Sequence, residues 1–195
     1  MKFALAKKIG MTRIFDEAGI CVSGTLLQVI PSKVVRTISE ARVGYNAVVI
    51  TNDISKSSTE CEFRVDDISS YKPEQTVDAS QFEVEDNVMV KAKSKGKGFA
   101  GAIKRHGFSR GPMSHGSNHH RAPGAIGGGY PQRVVLGRKM PGRLGGEGVT
   151  LKNLRVLSVD ATNNIVLVSG SVPGPKKALI KLYAESKVKV ENSEE

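Results

Sequence analysis

The segment from residue 91 to residue 155 combines dense positive charge with many glycines, and this combination limits what it can fold into. It contains 14 lysine and arginine residues against one acidic residue, Glu147, together with 15 of the chain's 21 glycines and all four histidines. With so few large apolar side chains, it cannot bury enough surface to offset the entropy that is lost on ordering. It therefore needs a polyanion to neutralise it, and nucleic acid is the commonest such partner.

The rest of the chain has a different character. The formal net charge of the 195 residues is +10, so the whole surplus of positive charge lies in residues 91–155. Roughly 130 residues remain outside that segment, enough for one hydrophobic core. Cys21 and Cys61 are too few and too far apart to indicate a disulfide framework or a zinc site. The N-terminus shows no signal or transit pattern, and no apolar stretch approaches a membrane span, which predicts a soluble, intracellular protein.

Short runs of β-branched and aliphatic residues predict many strands and little helix. They lie at residues 20–30, 34–38, 47–50, 61–65, 87–90, 154–160, 165–170 and 178–183. The two runs that flank Asn163 and Asn164 predict a hairpin. Residues 66–86 are acidic and lack a clear period, so they are predicted to be a linker. Many short strands favour a closed β-barrel.

The strand pattern and the basic segment together predict a discontinuous domain with one long insertion. We expect a β-barrel domain from residues 1–94 and 147–186, an extended RNA-penetrating loop from 95–146, and a flexible tail from 187–195. A loop folded back on itself between His106 and Met140 can reach on the order of 50 Å, at ~3.3 Å per residue. A cationic loop of that length suits a crevice in a large RNA.

The glycine motif at residues 96–101, GKGFAG, matches a dinucleotide-binding pattern, but its context does not. Glycine and proline at residues 107, 111 and 112 would stop the long helix that this pattern needs, and no acidic residue occurs before Glu147. Close approach of backbone N–H groups, Lys95 and Lys97 to RNA phosphates is the better interpretation. A short helix over residues 99–105 is predicted to point its N-terminus at a phosphate.

Three histidines in the basic segment, His115, His119 and His120, raise the question of a metal site. No carboxylate or thiol accompanies them, and the neighbouring arginines repel a cation. Hydrogen bonding to RNA, or stacking on it, fits these imidazoles better. A serine nucleophile is disfavoured because no aspartate is nearby to orient the base. A merely solvated basic surface is a further alternative, although the charge exceeds what solubility requires.

Specific motifs lie at residues 94–108 (SKGKGFAGAIKRHGF), 114–117 (SHGS), 120–127 (HRAPGAIG) and 140–145 (MPGRLG). Two distant parts of the chain add KIGMTRIF at residues 8–15, and VDA and GSVPGP at residues 159–161 and 170–175. These motifs resemble the bacterial-type members of the family of large-subunit ribosomal protein three, over nearly the whole chain.

The resemblance implies a mainly β fold, a translation-protein-type β-barrel with a long basic Gly-rich loop insertion and little helix. It implies a cytoplasmic structural constituent of the large ribosomal subunit, with no catalytic role, cofactor or small-molecule substrate. Such a protein is a primary rRNA-binding protein that nucleates subunit assembly near the 3′ end of 23S-type rRNA. Its loop runs towards the peptidyl-transferase centre, and it contacts large-subunit ribosomal proteins fourteen and nineteen.

The candidate rRNA-binding residues all lie in the basic segment. Those expected to clamp RNA backbone at the base of the loop, or to line its deeper path, are Lys95, Lys97, Lys104, Arg105, Arg110, Arg121, Arg133, Arg138, Lys139 and Arg143. The histidines expected to contact bases or riboses are His115, His119 and His120, and His106 is a further candidate rRNA-binding residue. A free-standing nucleic-acid chaperone and a glycine-loop nucleotide-dependent enzyme are the alternative functions. Co-sedimentation with large subunits at high salt distinguishes a ribosomal protein from a free-standing chaperone. Nucleotide binding by the purified chain would support the enzyme.

Overall fold

The computed structural model describes residues 1–15, 18–52 and 59–184. The chain divides into two compact units, one formed by Met1–Lys93 with Gly148–Glu195 and the other by Ser94–Glu147. We call the first the barrel unit and the second the excursion. The tail predicted at residues 187–195 lies outside the described residues.

The described residues are mainly β, with little helix, as the sequence predicts. The strands are β1 (Lys2–Phe15), β2 (Cys21–Ile30), β3 (Ser32–Ile38), β4 (Ala47–Asn52), β5 (Thr59–Arg64), β6 (Thr76–Val77), β7 (Asn87–Lys93), β8 (Phe99–Ala100), β9 (Gly142–Arg143), β10 (Gly148–Asp160), β11 (Ile165–Ser169) and β12 (Leu179–Ala184). The helices are α1 (Glu40–Val43), α2 (Ala102–His106) and a 3₁₀ turn (Ala79–Gln81). No helix in the described ranges is long and apolar enough to cross a membrane.

A closed barrel forms the centre of the barrel unit. Its six strands follow one another in the order β1-β12-β7-β10-β11-β2, and every neighbouring pair is antiparallel. Along β7, Val88, Val90 and Ala92 are buried and alternate with more exposed residues, the period-two pattern of a barrel wall. Closure leaves no free edge in this sheet. The predicted closed barrel is therefore confirmed.

A second sheet packs on the barrel and shares its core. Its strand order is β5-β4-β3-β6. The fully buried Phe63 of β5 stacks on Phe3 of β1 with their ring centroids 4.8 Å apart, and Tyr71 lies 5.0 Å from Phe3. Because aromatic side chains bury large apolar areas, this cluster is a main contact between the two sheets.

Residues 66–86 are not a linker, and that prediction is wrong. Within them β6 pairs with β3, and Val77, Ala79 and Phe82 are buried in the core. These apolar residues are few and lie at irregular spacings of two and three, so they show neither a strand nor a helix period, and their burial depends on tertiary packing. The segment is therefore part of the barrel unit's core.

An ion-pair cluster fixes the end of that segment to β1. The Lys2 Nζ lies 3.1 Å from Asp86 Oδ2 and 3.2 Å from Glu83 Oε1, and the Asp86 side chain is only 2% exposed. Burial alone would lower the pKa of Lys2, but the hydrogen bonds and charges of Asp86 and Glu83 outweigh it and raise that pKa above 10.5. The buried carboxylate is thus paired, as a buried charge needs to be.

The strand β1 was not predicted, because its sequence does not alternate. Residues 3–6 are all buried. One face of the strand lines the barrel interior, and the other face is covered by residues that pack on the outside of the barrel, such as Phe63 and Tyr71 against Phe3. Lys8 interrupts the apolar pattern, yet it is buried as well, and its Nζ donates a hydrogen bond to the Val172 carbonyl at 2.5 Å. A buried lysine with backbone acceptors is invisible to a hydropathy pattern.

Candidate nucleic-acid interface

The two ends of the excursion are joined by backbone hydrogen bonds. The Ser94 N–H donates to the Glu147 carbonyl at 2.8 Å, and the Lys97 N–H donates to the Leu144 carbonyl at 2.8 Å. The short strands β8 and β9 pair antiparallel, with Phe99 opposite Arg143. We call residues 94–100 and 142–147 the root of the excursion.

Glycine is required where the two sides of the root approach most closely. Gly145 has φ +74°, and a Cβ built there would lie 2.1 Å from the Lys95 carbonyl oxygen. No L side chain fits at that distance, so the two sides of the root can pair only because residue 145 is glycine. Lys95, Lys97 and Arg143 are all exposed on it. The root therefore places three cations on ordered backbone.

The predicted start of the short helix is wrong. Phe99 and Ala100 form β8, Gly101 caps the helix, and α2 covers Ala102–His106 before Gly107 ends it with φ +72°. The pairing of β8 with β9 joins residues far apart in the sequence, so no local pattern predicts it. Five residues align too few peptide dipoles for the predicted N-terminal phosphate site.

Two of the candidate RNA-binding residues brace the excursion internally. The Arg105 Nη1 donates to the Met140 carbonyl at 2.7 Å, and the His106 Nε2 lies 3.0 Å from the same oxygen. Both side chains are half-buried, whereas Lys104 on the same helix is exposed. Since the acceptor is a backbone carbonyl more than thirty residues away, no sequence signal reveals this role. The bracing holds the two arms of the excursion together beyond the root.

The histidine-rich loop also closes on itself. The Gly111 N–H donates to the His120 carbonyl at 3.0 Å, and the His120 Nδ1 lies 2.8 Å from the Pro112 carbonyl oxygen. His115 turns the chain with φ +58°. His115 and His119 are exposed and His120 is half-buried. Among the described residues, no group of three or more His, Cys, Asp or Glu is placed to hold a metal ion.

The remaining candidate cations lie along exposed chain. Arg138 donates from Nη2 to the Ala125 carbonyl at 2.5 Å and nevertheless stays exposed. The other exposed cations of this part are Arg110, Arg121, Arg133 and Lys139. The structure thus brings Arg105 and His106 to one acceptor, and it distributes the other candidates along the excursion.

The excursion has neither a hydrophobic core nor internal charge compensation. Its only buried hydrophobic residues are Ala100 and Ala102, whereas Tyr130 is 91% and Leu136 is 90% exposed. It holds ten lysine and arginine residues and one carboxylate, Glu147. All of its residues are described, and no ion pair joins Glu147 to any of those cations. Such a surface suits a polyanionic partner that supplies both charge and contact area.

Comparison with known proteins decides the family. Residues 57–163 match the family model of ribosomal protein L3, and this range includes the whole excursion. The large ribosomal subunit protein uL3 of Desulfitobacterium hafniense is 44% identical in an alignment that covers 96% of this chain and 98% of that protein. The chain belongs to the ribosomal protein L3 family. The family resemblance identified from the motifs is therefore confirmed.

Other relatives match at similar levels. The uL3 protein of Heliobacterium modesticaldum is 41% identical, over 96% of this chain and 99% of its own length. The uL3 protein of Prochlorococcus marinus strain MIT 9301 is 42% identical, over 91% of each chain. The ribosomal protein L3 family consists of structural proteins, so the exposed serines and histidines of the excursion need no catalytic interpretation.

Proposed function

We propose that this chain, a structural constituent of the large ribosomal subunit, binds large-subunit rRNA through the excursion. The observation that carries the proposal is a unit with ten basic residues, one acidic residue and no core of its own. RNA phosphates would supply the missing counter-charge, and RNA surface would supply the missing packing.

The geometry supports different roles for the candidate residues. The exposed cations are proposed to neutralise phosphates, Lys95, Lys97, Lys104 and Arg143 at and near the root and Arg110, Arg121, Arg133, Arg138 and Lys139 along the rest of the excursion. His115 and His119 are proposed to contact bases or riboses. Arg105, His106 and His120 already bond to backbone carbonyls, so they would shape the excursion while their remaining donors face RNA.

The family resemblance supports further parts of the proposal. The barrel domain would anchor early on rRNA near its 3′ end and nucleate assembly, and the loop would run through RNA towards the peptidyl-transferase centre. Large-subunit ribosomal proteins fourteen and nineteen would be its protein neighbours. No described feature favours the free-standing chaperone or the nucleotide-dependent enzyme as a second candidate.

The salt dependence of rRNA binding tests this proposal. Engagement of ~6–10 phosphates gives a slope of about −5 to −9 for the logarithm of the binding constant against the logarithm of salt concentration. The double variant Lys95→Gln/Lys97→Gln should make the slope shallower by roughly one unit for each phosphate that is no longer neutralised. The measurement is filter binding or fluorescence titration of the full chain with its rRNA fragment over a salt series.

The matched control is Lys33→Gln/Lys72→Gln, which removes two exposed charges from the barrel unit. It should leave the slope near the wild-type value. A wild-type slope near zero, or equal changes of slope in the two double variants, would contradict phosphate neutralisation by the excursion.

A further inference from the structure

The barrel unit contains an open cleft with a volume of about 810 Å³. Strand β5 and the turn before β4 line one side, and outward-facing residues of β7, β10 and β12 line the other. A volume of this size lies within the ~300–1,000 Å³ typical of ligand sites. All of its lining residues belong to the barrel unit, whereas the candidate rRNA-binding residues named above all lie in the excursion.

One wall of the cleft carries two lysines that lie opposite each other in the sheet. Lys91 on β7 lies directly opposite Lys181 on β12, and on its other side it lies opposite Thr150 on β10. Like charges directly opposite each other destabilise a sheet. Lys181 bonds to the Glu62 carbonyl at 2.9 Å, and neither lysine pairs with a carboxylate of the described residues. An anion bound in the cleft would be attracted by both lysines.

The other wall offers a stacking surface. The Arg64 guanidinium carbon lies 4.3 Å from the centroid of the Tyr45 ring. Aromatic rings and guanidinium planes are the groups on which unstacked RNA bases stack. Arg64 likewise makes no ion pair with the carboxylates of the described ranges, so its charge is available to a ligand.

Tyr183 adds a hydrogen-bond donor to the cleft. Its ring packs against Phe63 at 5.1 Å, and its hydroxyl has no hydrogen-bond partner in the part of the chain that the structure describes. Burial raises the pKa of Tyr183, and the nearby Cys61 and Glu62 raise it further. The phenol therefore stays protonated at neutral pH and can donate to a ligand oxygen or nitrogen.

Two carboxylates, Glu62 and Asp66, also line the cleft and restrict what it can bind. They repel a continuous phosphate backbone. They can accept hydrogen bonds from base amino groups and from ribose 2′-hydroxyls, however. A mixed lining of this kind fits one extruded nucleotide, with one phosphate, better than it fits a duplex.

We propose that this cleft binds one unpaired nucleotide of large-subunit rRNA, with the phosphate near Lys91 and Lys181 and the base against Tyr45 and Arg64. The inference rests on the proposed rRNA-binding function and adds a second RNA contact in the barrel unit. A protein segment from a neighbouring subunit protein is the competing occupant, and the experiment distinguishes it.

Lysine acetylation of the full chain, read by mass spectrometry, tests the inference. The chain is modified free, bound to protein-free large-subunit rRNA, and bound to that rRNA with the other large-subunit proteins. We expect rRNA alone to slow acetylation of Lys91 several-fold, whereas the exposed control Lys176 keeps its rate. In the rRNA complex, Tyr45→Ala should restore much of the Lys91 reactivity, whereas Tyr45→Phe keeps the ring and the protection.

Lys95 and Lys97 report on the proposed function in the same samples. If rRNA protects them but Lys91 reacts as in the free chain, the nucleotide site is wrong and the proposed function stands. Protection of Lys91 that requires the other proteins would assign the cleft to a protein and also overturn the site. Equal protection of Lys91 in Tyr45→Ala and wild type would overturn it too. If no lysine is protected, the proposed function itself fails.

Discussion

Replacing residues 107–139 with a short Gly-Ser turn is expected to leave the barrel unit folded and to weaken rRNA binding, with part of the affinity kept by the root and the barrel unit. The replaced residues contain no buried hydrophobic side chain. Arg105, His106 and Met140 are retained, so the bracing of the two arms is kept. The free energy of unfolding of the barrel unit should therefore change by no more than about 0.5 kcal/mol, as measured by urea denaturation.

The decrease in affinity follows from the charges that are removed. Residues 107–139 contain five of the ten basic residues of the excursion, so the salt slope of rRNA binding should become shallower by about 4–5 units. Large subunits that carry this variant should assemble poorly in a sucrose gradient. A control of wild-type length keeps the five basic residues on a Gly-Ser chain and should recover much of the slope. A deletion variant with the wild-type slope and normal assembly would contradict the proposed role of the excursion.

Phe63→Ala is expected to cost about 3–5 kcal/mol of the free energy of unfolding. The Phe63 ring is fully buried, and its centroid lies 4.8 Å from that of Phe3 and 5.1 Å from that of Tyr183. Its removal therefore leaves a cavity between the barrel and the second sheet. Urea denaturation followed by circular dichroism measures the decrease.

Phe15→Ala is the matched control for this substitution. Phe15 is 67% exposed, so truncating it should change the free energy of unfolding by less than about 0.5 kcal/mol. Equal effects of the two substitutions would show that the two sheets do not share a core at Phe63.

The barrel could be predicted because its strands carry local signals. Two apolar runs around Asn163 and Asn164 predict a hairpin, and β10 and β11 pair there with Asp160 opposite Ile165. Along β7, buried and exposed residues alternate as a barrel wall requires. The excursion was evident from composition, because charge and glycine content are visible without any knowledge of contacts.

The features that the sequence did not reveal depend on non-local packing. Residues 3–6 of strand β1 are buried on both faces, so their sequence lacks the apolar–polar alternation of a half-exposed strand. Residues 66–86 contribute a few apolar side chains to the core that the strands of the barrel unit form. The helix start was misplaced because β8 pairs with β9, far along the chain. Each of these errors has the same cause, which is that tertiary contacts override local propensity.

In the candidate site, too, the local features could be predicted and the non-local contacts could not. Its residue types could be chosen from charge alone, but the internal bonds of Arg105 and His106 to Met140 could not, because a backbone acceptor has no sequence signature. The cleft of the barrel unit gave no signal either. Tyr45, Arg64, Lys91 and Lys181 are scattered along the chain, and only the pairing of the strands and the packing of the two sheets bring them together.

Amide hydrogen exchange of the full chain, free and bound to protein-free large-subunit rRNA, tests the central claim most directly. If RNA supplies the missing core and counter-charge, amides of residues 107–139 should exchange much faster than those of β7 and β12 in the free chain. They should become strongly protected in the complex. Protection of these residues equal to that of the barrel strands without RNA, or fast exchange that persists with RNA bound, would contradict the account.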